Sequence, residues 1–213
     1  MVATPSHDGK VRVEYAYAMG ESIRLCARAG VSLCPVYFPG ESILPWARNE
    51  LLAIAVASGV DQVIWIDADM AWEPDSIIRL LGHEVDVVGY PCVKRTDDEA
   101  YNVKARPDQL VANDRGLMQV LSVGTGFLRM SRSAVKALWD NSRPYNTPNG
   151  ERRNVFEIGI MQGEPISEDV MTCGKLAALG FPVHIDPSVT CSHVGSKTFT
   201  GSFSGFVDRL KAA

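Results

Sequence analysis

Two acidic residues close an apolar run in the stretch QVIWIDADMAWEPD, residues 62–75. Val63, Ile64, Trp65 and Ile66 have the β-branched and aromatic character of a strand buried on both faces. Asp67 and Asp69 follow at once, ahead of a polar turn with Pro74. Residues two apart in extended backbone point the same way, so both carboxylates can face one site. That site would lie beyond the carboxyl end of a strand, where α/β sheets gather their ligands. Carboxylates so close need a cation between them or water around them. Such oxygen ligands suit Mg²⁺ or Mn²⁺ together with a substrate phosphate. A turn cap before Pro74 accounts for the same residues, and a lone D-x-D is a weak motif.

A second acidic pair, Glu168 and Asp169, lies in ISEDVMTCGKLAALG, in the first turn of a predicted helix capped by Ser167 and stopped by Gly180. The macrodipole there favours ionised carboxylates, which is ordinary helix-start chemistry. A carboxylate held ionised in that place also serves as a general base for a hydroxyl. His193 follows an apolar stretch in VTCSHVGSK. A neutral imidazole ligates Mn²⁺, and a histidine hydrogen-bonded at a strand end fits the pattern equally well. Lys197 reads either as a phosphate partner or as a solvated lysine. Arg48 opens the predicted helix ARNELL, where the dipole does not want a cation. It reads either as a bidentate grip on an anion or as the partner of Glu41 or Glu50. Gly124-Thr125-Gly126 reads as a bulge or as a close backbone approach to a ligand.

The elements that must position these residues alternate along the chain. A strand in MVATP precedes the loop SHDGK and a helix over about 11–29 that ends at Gly30. A strand in VSLCPVYF, the turn PGESILPW and a helix in ARNELLAIAVASG lead to the strand before Asp67. DSIIRLLGH reads as a short helix and VDVVGYP as a further strand. MQVLSVGTGFLRM is predicted as a strand broken at its glycines, followed by a helix capped by Ser131. Residues 95–115 and 140–165 are poorly patterned, and NSRPYNTPNGERRN is expected to be a mobile loop. FPVHIDPSVTCSHVG reads as a closing strand pair. Strands alternating with helices predict an α/β domain with a largely parallel sheet.

Composition sets the outer limits. A chain of 213 residues, 46% apolar, suits one globular domain with a sizeable core. A net charge of −4 and a pI of about 5.6 argue against a nucleic-acid or anionic-membrane partner held by charge alone. No apolar run approaches the roughly 18 residues of a spanning helix. MVATPSHDGK lacks the basic and apolar regions of a signal peptide. The five cysteines are an odd number without CxxC spacing, so buried free thiols in a reducing compartment are expected.

Taken in order, VATPSHDG, ARNELL, IWIDADM, VGTGFLRMSR, SEDVMTCGKLAALGFPVHIDP and SHVG resemble the inverting, nucleotide-sugar-dependent glycosyltransferases of the glycosyltransferase-A fold, family 2 type. The likeness covers roughly residues 2–199 and is similar to the compact single-domain members of bacteria, phages and large DNA viruses. It implies a single domain over 1–213, Rossmann-like, with a mostly parallel central sheet and a smaller mixed subsheet on the acceptor side. Residues 1–94 would be the nucleotide-binding half and 95–213 the donor-sugar and acceptor half. Thr4, Pro5 and the Ser6-to-Asp8 loop would contact nucleobase and ribose, with Arg48 near the nucleotide. Asp67 would touch ribose or metal. Asp69 and His193 would ligate the Mn²⁺ or Mg²⁺ that bridges the diphosphate. Gly124, Thr125 and Gly126 would border the donor sugar, and Lys197 would meet phosphate. Asp169 would be the base, with Glu168 holding acceptor or donor.

The resemblance further implies a nucleoside-diphosphate sugar donor, UDP-linked in many members, and a glycan, glycoprotein or other hydroxyl acceptor. The enzyme would work in a cytoplasm, bacterial or that of a viral host. Larger members read uracil with an extra Asp, where VYFPGESILPW offers only Glu41. The Q-x-x-R-W-type acceptor motif is also missing, which points to single-sugar transfer. Rival readings are a haloacid-dehalogenase-type phosphatase with Asp67 as nucleophile and a non-catalytic nucleotide-sugar or glycan-binding module. In the former the motif sits on the first strand, followed by Thr or Val, whereas here it is mid-chain and followed by Met70.

Overall fold

The computed structural model describes residues 1–96, 98–106, 108, 110–189, 191–195 and 198–212. Strand β1 (Val2–Ser6) is buried at every position. Helix α1 (Val13–Arg28) follows, then β2 (Pro35–Pro39), α2 (Leu44–Ser58) and β3 (Gln62–Ile66). Beyond β3 come β4 (Met70–Ala71), α3 (Ser76–Gly82), β5 (Val87–Gly89), β6 (Val103–Lys104), β7 (Met118–Val120), β8 (Ser122–Val123) and β9 (Phe127–Ser131). The remainder is α4 (Arg132–Asp140), β10 (Pro144–Thr147), β11 (Gly150–Arg153), β12 (Gly159–Met161), β13 (Glu164–Ile166), α5 (Glu168–Ala178), β14 (Val183–Ile185), β15 (Ser192–Val194), β16 (Thr198–Phe199) and α6 (Phe203–Ala212).

Seven strands form one sheet in the order β2-β1-β3-β9-β5-β14-β7. The pairs β2–β1, β1–β3 and β5–β14 are parallel, whereas β9 and β7 run against their neighbours. The near-continuous apolar strands are explained by helices on both faces. Period-2 alternation sends Val63 and Trp65 into the core on one face, and Ile64 and Ile66 into the core on the other. Trp65 is fully buried with its ring 4.8 Å from that of Phe156. Burial of a side chain that size contributes on the order of 3 kcal/mol. Four smaller sheets, all antiparallel, sit around this frame: β16-β15-β4, β10-β11, β12-β13 and β6-β8. Among the described residues no helix is long and apolar enough to cross a membrane.

Several expectations change. Helix α2 begins at Leu44, with Pro45 in its first turn, because proline's missing N–H costs nothing there. Arg48 is therefore a full turn inside the helix instead of at its start. MQVLSVGTGFLRM divides into β7, β8 and β9, of which β7 and β9 occupy separate positions in the main sheet. NSRPYNTPNGERRN is not a loose loop: it forms the β10–β11 hairpin. Arg152 on that hairpin is paired at 2.7 Å with Glu50 of α2, and both side chains are largely buried. Cys26, Cys92, Cys173 and Cys191 are buried free thiols as expected, but Cys34 is exposed.

Candidate functional site

Strand β3 ends where the Asp67 N–H donates to the Gly126 carbonyl at 3.1 Å, and the chain turns at Ala68 and Asp69. The short β4 then pairs antiparallel with β15, with Met70 opposite His193. Val194 N–H donates to the Asp69 carbonyl at 2.8 Å. This register sets an early acidic turn beside a late imidazole. Asp69 Oδ1 lies 3.2 Å from His193 Nε2, and is buried without a well-aligned hydrogen bond. His193 Nδ1 faces the Val93 carbonyl at 3.2 Å. A proton on Nδ1 shared with that carbonyl would fix the ring as an imidazole ligand is fixed, with Nε2 on the Asp69 side. Arg95 pairs with the other carboxylate oxygen of Asp69. Burial pushes the Asp69 carboxyl up, but His193 and Arg95 outweigh it and hold the group below its usual range.

The pair has the chemistry of two adjacent ligands of a hard divalent ion, since neighbouring ligands about an octahedral Mg²⁺ sit about 3 Å apart. Among the described residues no three His, Cys, Asp or Glu side chains surround one point. An ion here would complete its shell with phosphate oxygens and water. The expected third ligand, Asp67, turns instead to Arg48, whose Nη2 donates to Oδ1 at 2.8 Å.

Arg48 is 1% exposed, and its Nε lies 3.8 Å from Glu168 Oε1. Its partners are therefore neither Glu41 nor Glu50 but the two acidic motifs themselves. The guanidinium sits 6.0 Å from the Phe156 ring centroid, behind the cavity wall. Burial pushes the Glu168 carboxyl above its ordinary value; Arg48 opposes this and Asp169 adds to it. Asp169 is buried and accepts from Asn102 Nδ2 at 2.6 Å, from Val170 N–H at 2.8 Å and from the Ser167 hydroxyl. Ser167 stands at the N-cap of α5 yet bonds no backbone N–H, because its hydroxyl is spent on Asp169.

An open cavity of about 1010 Å³ lies over these elements, lined by Pro5, Asp8, Asp67, Asp69, Asn102, Gly124, Gly126 and His193 among others. Both acidic tips thus reach the site, although the backbone between them turns. A Cβ on Gly126 would crowd Asp67 Oδ2 at 3.2 Å, and one on Gly124 would stand 2.6 Å from Asn102 Nδ2. The two glycines admit side chains of the site itself. Thr125 between them is buried away from the cavity. Thr4 does not reach the cavity either: its hydroxyl is 2.5 Å from the Tyr15 hydroxyl. Ser6 donates to the Lys10 carbonyl at 2.7 Å and serves the loop. Lys197 lies outside the described residues. Asp169 stands one side chain deep, behind Asn102.

Sequence reasoning missed Asn102, Lys94 and Arg95, all lining the cavity from the poorly patterned stretch. Lys10 and Arg12 line it from the loop before α1. No periodicity marked them, since their placement depends on backbone pairing of Lys94 with Ala100 and of Asn102 with Cys92.

No family model matches the chain, and no curated protein does. Among solved structures the chain is similar to A197 from STIV over 95% of its own length and 89% of that chain, at 15% identity and a TM-score of 0.56. It is also similar to a glycosyltransferase involved in the glycosylation of the major capsid of PBCV-1, over 63% of this chain and 61% of that one. There the identity is 12% and the TM-score 0.34, a superposition too loose to carry an argument. The first likeness shows the fold: α/β, glycosyltransferase-A-like, with a seven-stranded, mostly parallel sheet and small accessory sheets.

Proposed function

We propose that this chain is a metal-dependent, inverting glycosyltransferase that moves one sugar from a nucleoside-diphosphate sugar to an acceptor hydroxyl. The observation that carries the reading is the Asp69–His193 pair on the wall of a large open cavity, with Asp169 behind the same wall. Mn²⁺ or Mg²⁺ held by Asp69 and His193 would supply Lewis-acid stabilisation of the departing diphosphate. Lys10, Arg12, Lys94 and Arg95 surround the same space and add positive charge for an anionic donor. Pro5 and the loop carrying Asp8 form the end of the cavity suited to nucleobase and ribose. UDP is the donor nucleotide we favour, from the family resemblance.

Asp169 acts on the acceptor. An acceptor hydroxyl takes the place of Asn102 on Oδ2 and gives its proton to the carboxylate. Its oxygen bonds to the anomeric carbon from the face opposite the diphosphate. The bond from that carbon to the diphosphate oxygen breaks, and its electron pair leaves with the nucleotide. One displacement inverts the centre without a covalent sugar–enzyme species. Arg48 keeps the two acidic motifs from repelling each other. A phosphoaspartate route through Asp67 is disfavoured, because pairing with Arg48 draws electron density from that carboxylate.

Asp169→Asn tests the assignment. Donor binding should persist while turnover falls at least about a hundredfold, within the range for loss of a general base. Unchanged turnover removes Asp169 from the role. A thermal-shift series of nucleoside diphosphates and their sugars with Mn²⁺ identifies base and sugar together.

A further inference from the structure

We infer that Arg95 is a displaceable internal cation, which holds the Asp69 carboxylate until metal and diphosphate arrive together and then transfers to the diphosphate. The inference rests on the donor reading above and deepens it. It assigns a coupling between metal and nucleotide binding and a named residue that carries it.

The two arginines of the site are built differently. Arg48 is sealed at 1% exposure between Asp67 and Glu168. Arg95 is 42% exposed, and among the described residues its hydrogen bonds beyond Asp69 reach only the Val194 carbonyl, at 3.4 Å. A half-exposed ion pair on a long side chain is weak and readily exchanged, whereas a buried one is not. The backbone beneath Arg95 is held, with Lys94 N–H on the Ala100 carbonyl at 2.7 Å and Val93 bridged to Tyr101. The side chain can therefore swing without the segment moving.

Charge then dictates the coupling. A divalent ion approaching Asp69 alone meets a guanidinium on the same carboxylate, and the two cations repel. A diphosphate reverses the sign, because the displaced guanidinium finds phosphate oxygens that it can grip through two N–H groups. Lys94 beside it and Lys10 and Arg12 across the cavity deepen the same attraction. Metal and nucleotide must then each raise the other's affinity by one common factor.

Free Mn²⁺ followed by electron paramagnetic resonance tests this with wild type, Arg95→Gln and Arg95→Lys. Without nucleotide, Arg95→Gln should bind Mn²⁺ about fivefold more tightly than wild type, the yield of removing a half-exposed pair. Arg95→Lys should match wild type. Calorimetry with UDP, GDP and ADP at saturating Mn²⁺ should show the reverse ranking, with Arg95→Gln the weakest binder of whichever nucleotide wild type prefers. Equal Mn²⁺ affinity in wild type and Arg95→Gln, or unchanged nucleotide affinity, overturns the inference while leaving the donor site intact. Absence of Mn²⁺ binding in all three proteins with every nucleotide overturns the donor reading, and the inference with it.

Discussion

Arg48→Met is the sharpest perturbation of the candidate site, because it keeps the apolar stem of the side chain and deletes its charged head. Wild-type Arg48 has Nη2 2.8 Å from Asp67 and Nε 3.8 Å from Glu168, so one buried guanidinium offsets both carboxylates from behind the wall. Removing one partner of a buried pair costs about 3–5 kcal/mol. Asp67 is 29% exposed and can rehydrate, so the low end, about 3 kcal/mol, is expected. In a chain of this length that lowers Tm by about 6–12 °C. The loss should depend on pH in a defined direction. Burial already holds the Glu168 carboxyl above its ordinary value, and Arg48 opposes it. A carboxyl raised in the folded state stabilises the fold while protonated. That contribution is complete below the unfolded value and is lost as pH rises through the folded one. Without Arg48 the folded value climbs further, so the Tm deficit should be largest at about pH 8 and shrink towards about pH 5. Thermal melts of wild type, Arg48→Met and Arg48→Met/Glu168→Gln across that range measure it. The double variant should recover part of the deficit near pH 8. A deficit that ignores pH, together with a double variant that melts no higher than the single one, refutes the coupling between Arg48 and Glu168.

The other elements of the site yield tests of their own. Asp69→Ala should abolish Mn²⁺-dependent binding of a nucleoside diphosphate, seen by calorimetry with and without the ion. Binding that survives with its metal dependence intact would move the ion elsewhere. Gly124→Ala puts a Cβ 2.6 Å from Asn102 Nδ2 and should push that amide off Asp169. Turnover should rise with donor affinity kept, since the acceptor hydroxyl no longer has to displace the amide from Asp169 Oδ2. A turnover number that does not rise would show that Asn102 does not screen Asp169 from the acceptor. Phe203→Ala removes a buried ring of α6 that meets Tyr101 edge-on, with centroids 4.9 Å apart. It should cost about 3–5 kcal/mol in denaturant unfolding and loosen the segment that carries Arg95 and Asn102. A cost below about 1 kcal/mol would mean that α6 does not anchor that segment.

Features written in local pattern could be read directly from the chain. The apolar run before Asp67 is a buried strand because every residue of it faces one core or the other. Gly59 and Gly180 end α2 and follow α5 with φ of 61° and 85°, as helix-stopping glycines do. Ser131 caps α4 by accepting from Ala134 N–H at 3.2 Å. The same logic failed at Ser167, and the reason is instructive. Like Ser131 it stands just before a helix, but Asp169 competes for its hydroxyl as a charged acceptor, the stronger partner. A cap is a local feature only while no ion sits nearby.

Arg48 marks the same boundary from the other side. Its local neighbours offered Glu41 and Glu50, yet Glu41 accepts from Ile43 N–H and Glu50 pairs with Arg152 of the β10–β11 hairpin. That hairpin looked like loop because its two short strands are polar on both faces, and polar strands carry no period-2 signal. With Glu50 taken, and Arg48 placed a turn deeper in α2 by Pro45, the guanidinium faces the strand tips instead of solvent. Which acid an arginine meets is thus decided by what the rest of the fold has already paired. This is why the acidic motifs and Arg48 were visible in the sequence, while the partners of Arg48, and Arg95 altogether, emerged only from the tertiary structure.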